Sequence, residues 1–156
     1  MSENLLEAKE ELKRLEHIIY VSLKYTRTVD VIINALNRLI GTYDFIIEAL
    51  LEKAQKEDKI AALPKSPALR ATTLGEIYPE DLQLQKALSF YAFLKTVLKT
   101  NYERREEFRR HVTLVVSFQN STAEIDIDNL INCERFVHKF FNYACTQIMG
   151  RSEDDD

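Results

Sequence analysis

Residues that interrupt helices are rare in this chain. Only three glycines and three prolines occur among its 156 residues, and tryptophan is absent. This scarcity excludes a turn-rich β protein and favours long, uninterrupted helices. The chain also lacks an apolar run of about 18 residues, the minimum for a membrane-spanning helix, and it shows no secretory signal peptide. We therefore expect a cytoplasmic protein without membrane partners.

Cysteines and metal-binding patterns are scarce too. Cys133 and Cys145 are the only cysteines, and both fall on one predicted helix, where they cannot pair with each other. We interpret them as core residues of a protein in a reducing compartment. The three histidines have no ligand spacing with them, and no glutamate precedes a histidine by three residues. The sequence therefore predicts no metal site, and it identifies no cofactor.

Neither sign of charge dominates. The net charge is −4, and the last four residues, Glu153 to Asp156, account for all of it. Residues 152–156 are thus predicted to form a disordered acidic tail. Residues 1–151 are expected to form one globular domain with a buried core, since hydrophobic residues make up 46% of the chain.

The most pronounced pattern covers residues 29–56. Apolar side chains recur there at three- and four-residue spacing over a wide arc, which predicts a central helix covered on more than one side. Residues 3–22 predict an amphipathic helix with heptad spacing. These two helices are joined either by a tight turn at residues 24–27, with Thr28 as the next cap, or as one helix over residues 3–56. We favour the turn because continuous helices of that length are rare in small domains.

The segment from 58 to 80 contains all three prolines. We predict a long crossover loop there, which would make the flanking helices parallel. Residues 81–110 predict the third helix. Residues 112–128 alternate between apolar and polar side chains, which indicates a β-hairpin, although helical spacing also continues through part of them.

A last helix is predicted from Asp128, as its cap, to Met149, with Gly150 after its end. The predicted fold class is therefore all-α, a four-helix bundle with a long crossover loop and, as one alternative, a small β-hairpin between helices three and four. The apolar surface exceeds what one chain of this kind buries, so we expect a homo-oligomer. The last helix illustrates the surplus with aromatic residues on more than one face: Phe136, Phe140, Phe141 and Tyr143.

The densest polar segment is residues 102–111, which carry four arginines, three glutamates and a histidine. On a helix, Arg104 and His111 would share a face with Glu107 between them. Arginine forks bind phosphate oxygens in a bidentate way, so this face could hold a nucleotide or another phosphate ligand. The alternative is a solvated helix end whose glutamates and arginines pair with one another.

Three fragments are relevant to this choice: Tyr25-Thr26-Arg27-Thr28-Val29-Asp30, Arg104-Arg105-Glu106-Glu107-Phe108 and Ile131-Asn132-Cys133-Glu134. Their order resembles that of motifs in the trimeric four-helix-bundle ATP:cobalamin adenosyltransferases. Val29 stands in place of that family's glycine, and Phe108 stands in place of its final arginine. The resemblance therefore implies a related bundle that binds nucleotide without retaining the transferase reaction. It also implies the site residues, which are Thr26, Thr28 and Asp30 beside the phosphates and Arg104, Arg105, Glu107 and Asn132 in the same site.

The order of Arg104 or Arg105 before His111 also resembles the arginine–histidine pair of the HEPN ribonucleases. That resemblance implies RNA cleavage, in which the arginine stabilises phosphate charge and the histidine moves protons. Nucleic acid is a partner only under this alternative. A third hypothesis, favoured by composition, is a non-catalytic oligomeric scaffold.

Overall fold

The structure is a computed structural model that describes residues 2–150. Its first helix, α1, joins an α-helical part, a π-helical part and a final turn without a break. Three strands lie between the last two helices. The elements are α1 (Glu3–His17, Ile18–Ser22 and Leu23–Tyr25), α2 (Val29–Lys56), α3 (Pro67–Ile77), α4 (Leu82–Lys99), β1 (Tyr102–Arg105), β2 (Thr113–Ser117), β3 (Thr122–Ile125) and α5 (Ile127–Met149).

The central helix α2 is capped by Thr28, as predicted. Thr26 leaves the helical conformation (φ −133°, ψ 92°), and the Thr28 hydroxyl accepts the Val31 N–H at 3.3 Å, which is the geometry of a helix cap. The turn between the first two helices is therefore confirmed over the single long helix. Buried side chains cover a wide arc of α2: Val29, Ile32, Ala35, Leu36, Leu39, Tyr43, Ile46, Ile47, Leu50, Leu51 and Ala54.

The predicted crossover loop at 58–80 is wrong in two respects. The segment contains α3, because Ser66 caps Leu69 N–H at 3.1 Å and Pro67 occupies a first-turn position where its missing N–H costs nothing. Proline is common both in loops and at the first position of a helix, so the prolines of this segment do not distinguish the two by themselves.

The helices on either side of α3 are also antiparallel rather than parallel. The Tyr91 hydroxyl of α4 donates to Asp44 of α2. Further along α2, Leu50 lines a small cavity with Leu84, which lies earlier on α4. The two helices thus run in opposite directions, and the short α3 segment connects them.

The third helix ends at Lys99, not at residue 110. Thr100 is extended (φ −100°, ψ 146°), and residues 102–105 pair with β2 instead. The arginines and glutamates of this stretch favour a helix locally, but pairing with the apolar strand β2 overrides that preference.

The fold class is therefore not an all-α four-helix bundle. Within residues 2–150, five helices pack with a three-stranded antiparallel sheet of order β1-β2-β3. The predicted hairpin is present as β2 and β3, in which Leu114 pairs with Ile125 and Ser117 with Thr122. The buried residues of the sheet lie on β2 and β3, such as Leu114, Val116 and Ile125, whereas all four residues of β1 are exposed.

The last helix, α5, is capped two residues earlier than predicted. Asp126 is extended (φ −112°, ψ −173°) and accepts the Asn129 N–H at 2.9 Å, and the Asn129 side chain accepts the Asp126 N–H at 3.0 Å. This reciprocal capping box excludes Asp128 from the cap. The predicted end is confirmed, since Gly150 adopts the left-handed conformation (φ 79°).

The core centres on Tyr43 of α2. Its ring lies 5.5 Å from Phe140, 5.8 Å from Tyr91 and 6.4 Å from Phe90, so α2, α4 and α5 meet in one aromatic layer. Much of the aromatic surplus on α5 is thus buried inside the chain, and the homo-oligomer stays a prediction. No helix within residues 2–150 has the length and apolarity to cross a membrane. The predicted acidic tail, 152–156, lies outside the described residues.

Candidate functional site

Four of the predicted site residues meet where α2 begins. The Arg104 guanidinium contacts Asp30 Oδ1 at 2.8 Å and Glu107 Oε1 at 3.4 Å. The other Glu107 oxygen accepts the Val29 N–H at 3.1 Å, next to the Thr28 cap. We call Thr28, Asp30, Arg104 and Glu107 the arginine cluster. It joins the first strand of the sheet to the start of the longest helix.

The arginine cluster already contains its own anions. A helix N-terminus attracts negative charge, and here the Glu107 carboxylate occupies that position. The hydrogen bond from Arg104 to Asp30 raises the pKa of the guanidinium further above its usual range. A phosphate group would therefore have to displace carboxylates of the chain itself. Phosphate binding stays a prediction that this geometry does not favour.

The other predicted residues lie elsewhere. Arg105 is on the opposite face of β1 from Arg104, where it pairs with Glu124 of β3 at 2.8 Å. His111 is exposed and lies beyond the strand, so the shared helix face of Arg104 and His111 is wrong. Thr26 is exposed just before the arginine cluster.

The loop after β1 is held in an uncommon conformation. Glu106 and Phe108 both have positive φ, 57° and 66°, which costs a non-glycine residue about 1–2 kcal/mol. The Phe108 N–H donates to the Arg27 carbonyl at 2.6 Å. Glu107, which lies between Glu106 and Phe108, accepts the Val29 N–H at the start of α2. These bonds hold the loop, while the Phe108 ring itself is 77% exposed.

A second region, the aromatic groove, lies between α4, β3 and α5. It has a volume of about 510 Å³, within the range of small-molecule and peptide pockets. The predicted residue Asn132 lies on its rim. The groove is lined by Phe90, Phe93, Leu94, Ala123, Glu124, Ile125, Asn129, Asn132, Cys133 and Phe136.

Phenyl rings form one wall of the aromatic groove. Phe90 lies 5.3 Å from Phe136 and 6.3 Å from Phe93 between ring centroids. Phe93 is 40% exposed and Phe136 36% exposed, so two large apolar side chains face solvent at the opening. Burial raises the pKa of the Cys133 thiol to about 11, which agrees with an apolar wall. The sequence signal for this groove is the aromatic surplus on α5, which by itself supports the prediction of a homo-oligomer equally well.

The opposite wall of the aromatic groove is the edge strand β3. The Phe118 N–H donates to the Ser121 carbonyl at 2.8 Å, and hydrogen-bonded pairs then alternate along the hairpin. Ala123 and Ile125 therefore bond to β2, and the backbone groups of Thr122 and Glu124 point away from it. In the described part of the chain, no strand pairs with that outer side.

A larger depression of about 610 Å³ lies between α3 and α4. Small and polar side chains such as Ala71, Gly75 and Ser89 make up much of its wall. Leu88 and Tyr91 also line it, together with Lys95 and Lys99, but it has no group of solvent-exposed phenyl rings like that of the aromatic groove, so volume alone does not make it the better candidate.

Three further side chains could hold a cation. Glu134 and His138 of α5 approach Glu16 of α1, and one donor atom from each lies within 4.8 Å of the others. Burial, and then the Glu134 carboxylate, raise the pKa of Glu16. We call these three residues the Glu–Glu–His trio.

No family model, curated protein or solved structure matches this chain. The resemblances to the adenosyltransferases and to the HEPN ribonucleases thus stay untested.

Proposed function

We propose that this chain binds an extended, apolar segment of another protein, which lies along β3 and inserts side chains into the aromatic groove. One observation carries the proposal. Within residues 2–150, the same groove has strand backbone that no other strand pairs with on one side and solvent-exposed phenyl rings on the other.

The backbone of β3 supports the recognition of an extended chain. Thr122 and Glu124 each direct one N–H and one carbonyl away from β2, as the hairpin alternation requires. A peptide strand added at this edge would bond to those groups in the manner of β-augmentation, where main-chain bonds supply affinity and side-chain pockets supply specificity. A compact small molecule would leave the edge groups unused.

The phenyl rings support an apolar partner. Aromatic side chains at a partly open site are the groups that most often dominate binding energy when a partner covers them. The rim is polar, with Asn129 and Asn132 on α5 and the Glu124–Arg105 ion pair on the sheet. An apolar centre with a polar rim is the ordinary arrangement of a protein interface.

Selection of random peptides displayed on phage tests the proposal, followed by calorimetric titration of the enriched sequences. We expect extended peptides with alternating apolar residues. Phe93→Ala and Phe136→Ala should each weaken their binding by at least about tenfold. Leu82→Ala is the matched control, because Leu82 lies on the same helix as Phe93, is 73% exposed and is outside the groove.

Two variants at one position test the backbone contact. Glu124→Ala and Glu124→Pro both lose the ion pair with Arg105, but only proline removes the outward N–H, which an edge strand tolerates. The proline variant should bind the selected peptide several-fold more weakly than the alanine variant, as expected for one lost hydrogen bond. Failure to enrich any peptide, or equal binding by wild type and Phe93→Ala, would contradict the proposal.

A further inference from the structure

Two glutamates of this chain are equally buried but have different surroundings. The side chains of Glu11 and Glu134 are each 10% exposed. Glu11 is neutralised by two guanidinium groups, from Arg14 at 2.7 Å and Arg38 at 3.1 Å. Among the described residues, Glu134 has no lysine or arginine partner and contacts His138 instead.

The surroundings of Glu134 combine a second carboxylate with a histidine. His138 Nδ1 lies 3.5 Å from Glu134 Oε1 and 4.0 Å from Glu16 Oε1, and the Glu16 carboxylate faces the same point. A buried carboxylate is costly unless it is paired with a cation or coordinates a metal. Among the described residues, the group that can meet Glu134 with positive charge is the His138 imidazole, and only when it is protonated.

The geometry points to a divalent first-row transition-metal site formed by Glu16, Glu134 and His138. One imidazole nitrogen with two carboxylate oxygens is a donor set that such ions accept. Glu134 and His138 are one helical turn apart on α5, so both side chains project on the same face. Glu16 approaches from α1, and both supporting elements are long helices.

The observed distances suit the ion. Tetrahedral Zn²⁺ has bonds of about 2.0–2.2 Å to nitrogen and oxygen, which places neighbouring ligand atoms about 3.4 Å apart. The two measured separations from His138 Nδ1, 3.5 and 4.0 Å, differ from that value by small side-chain rotations. Glu16 and His138 are each 41% exposed, so an ion can enter and retain water as a further ligand.

The Glu–Glu–His trio is separate from the aromatic groove. At 3.6 residues per turn, Glu134 and His138 lie on the opposite side of α5 from Asn132 and Phe136. Metal binding and peptide binding can therefore be tested independently, and the failure of one would leave the other standing.

Titration with Co²⁺, observed by its visible absorption and by calorimetry, tests this site on the untagged full chain. We expect one Co²⁺ per chain, displaced by Zn²⁺ but not by Mg²⁺, which prefers octahedral oxygen sites. His138→Ala and Glu134→Gln should each weaken Co²⁺ binding by at least about tenfold. His17→Ala and Glu10→Gln are matched controls, because each removes a residue of the same type from α1 outside the trio.

Three results would overturn the assignment. The first is no Co²⁺ binding below millimolar concentration by a wild-type chain whose circular dichroism shows that it is folded. The second is a thiolate-to-cobalt charge-transfer band, which would place the ion on a cysteine. The third is equal affinity in wild type and His138→Ala, since the ion would then bind elsewhere.

Discussion

The arginine cluster and the aromatic groove are both built where the small sheet meets the helices, yet they differ in how completely their groups are satisfied. In the cluster, Arg104 faces Asp30 and Glu107, and the start of α2 is capped by Thr28 and Glu107. In the groove, phenyl rings face solvent and the outer backbone of β3 is unpaired in the described chain.

The two regions show that a high density of polar side chains does not by itself make a binding site. The arginine cluster contains many charged side chains, but each of them is paired with a group of the chain itself. The groove has no motif, but it leaves apolar area and hydrogen-bonding groups available to a partner. We therefore place the structural role in the cluster and the binding role in the groove.

The largest expected effect is on stability, which should fall much more when a core phenyl ring is removed than when a groove phenyl ring is removed. Phe140 and Phe136 lie one turn apart on α5, but Phe140 is 2% exposed and stacks on Tyr43, whereas Phe136 is 36% exposed. Phe140→Ala should lower the free energy of unfolding by about 3–5 kcal/mol, and Phe136→Ala by only about 1 kcal/mol. Urea denaturation followed by circular dichroism measures both.

Equal losses in the two variants would break the comparison. Phe136 would then belong to the core, and the groove would be a packing defect rather than a binding surface. A small loss at Phe136 together with lost peptide binding is the result that the proposed function requires.

Sequence patterns predicted the elements whose signals are local. The spacing in residues 29–56 and the Thr28 cap identified α2, and Gly150 identified the end of α5, because periodicity and end residues act within a few residues of one another. Alternation also indicated the β2–β3 hairpin. These features depend little on the rest of the chain.

The predictions were wrong where contacts between residues far apart in the sequence determine the secondary structure. Residues 102–105 have a composition that favours a helix, but they form a strand because they pair with β2. No local sequence signal indicates that pairing. Pro67 is compatible with a loop and with a helix start, because proline is favoured at the first helical position.

The predicted site residues fall into separate regions because contacts between residues distant in the sequence also determine their positions. Thr28, Asp30, Arg104 and Glu107 lie together, but they bind one another, and whether they form the nucleotide site that the resemblance implied stays a prediction. The groove, in contrast, is made by α4, β3 and α5, which are joined only in the folded chain. The free edge of β3 could be recognised only after β1 was known to pair on the far side of β2.

Cys133 reports how apolar the wall of the aromatic groove is. Burial raises the pKa of Cys133 from 9.0 to about 11, so its reactive thiolate at pH 8 should be roughly 100-fold scarcer than in the unfolded chain. The folded state keeps the proton until the pH passes about 11, whereas the unfolded state loses it near 9.0. The resulting stabilisation is therefore present below pH 9.0 and is lost as the pH rises towards about 11.

Alkylation by iodoacetamide, followed at Cys133 by peptide mass spectrometry, measures this shift. The rate should keep rising up to about pH 11 in the native chain and should level off near the ordinary thiol pKa in urea. A native rate that levels off at pH 9 or below would mean that water fills the groove around Cys133, which would weaken the apolar part of the comparison.

The smallest expected effect tests whether the arginine cluster is closed. Glu107→Ala removes the carboxylate that accepts the Val29 N–H and contacts Arg104. We expect a loss of about 1–2 kcal/mol in the free energy of unfolding, the usual cost of a lost helix cap with a charged partner. Glu103→Ala, on the exposed strand β1, is the control and should change stability by no more than about 0.5 kcal/mol.

The same variant should also uncover the helix N-terminus. With Glu107 gone, Arg104 and the first N–H groups of α2 are available to an anion. Inorganic phosphate should therefore raise the melting temperature of Glu107→Ala more than that of wild type at equal ionic strength, with chloride as the reference salt. If wild type gains as much from phosphate as the variant does, the cluster is already open. The phosphate site at Arg104 would then regain support, and the contrast between the two regions would fail.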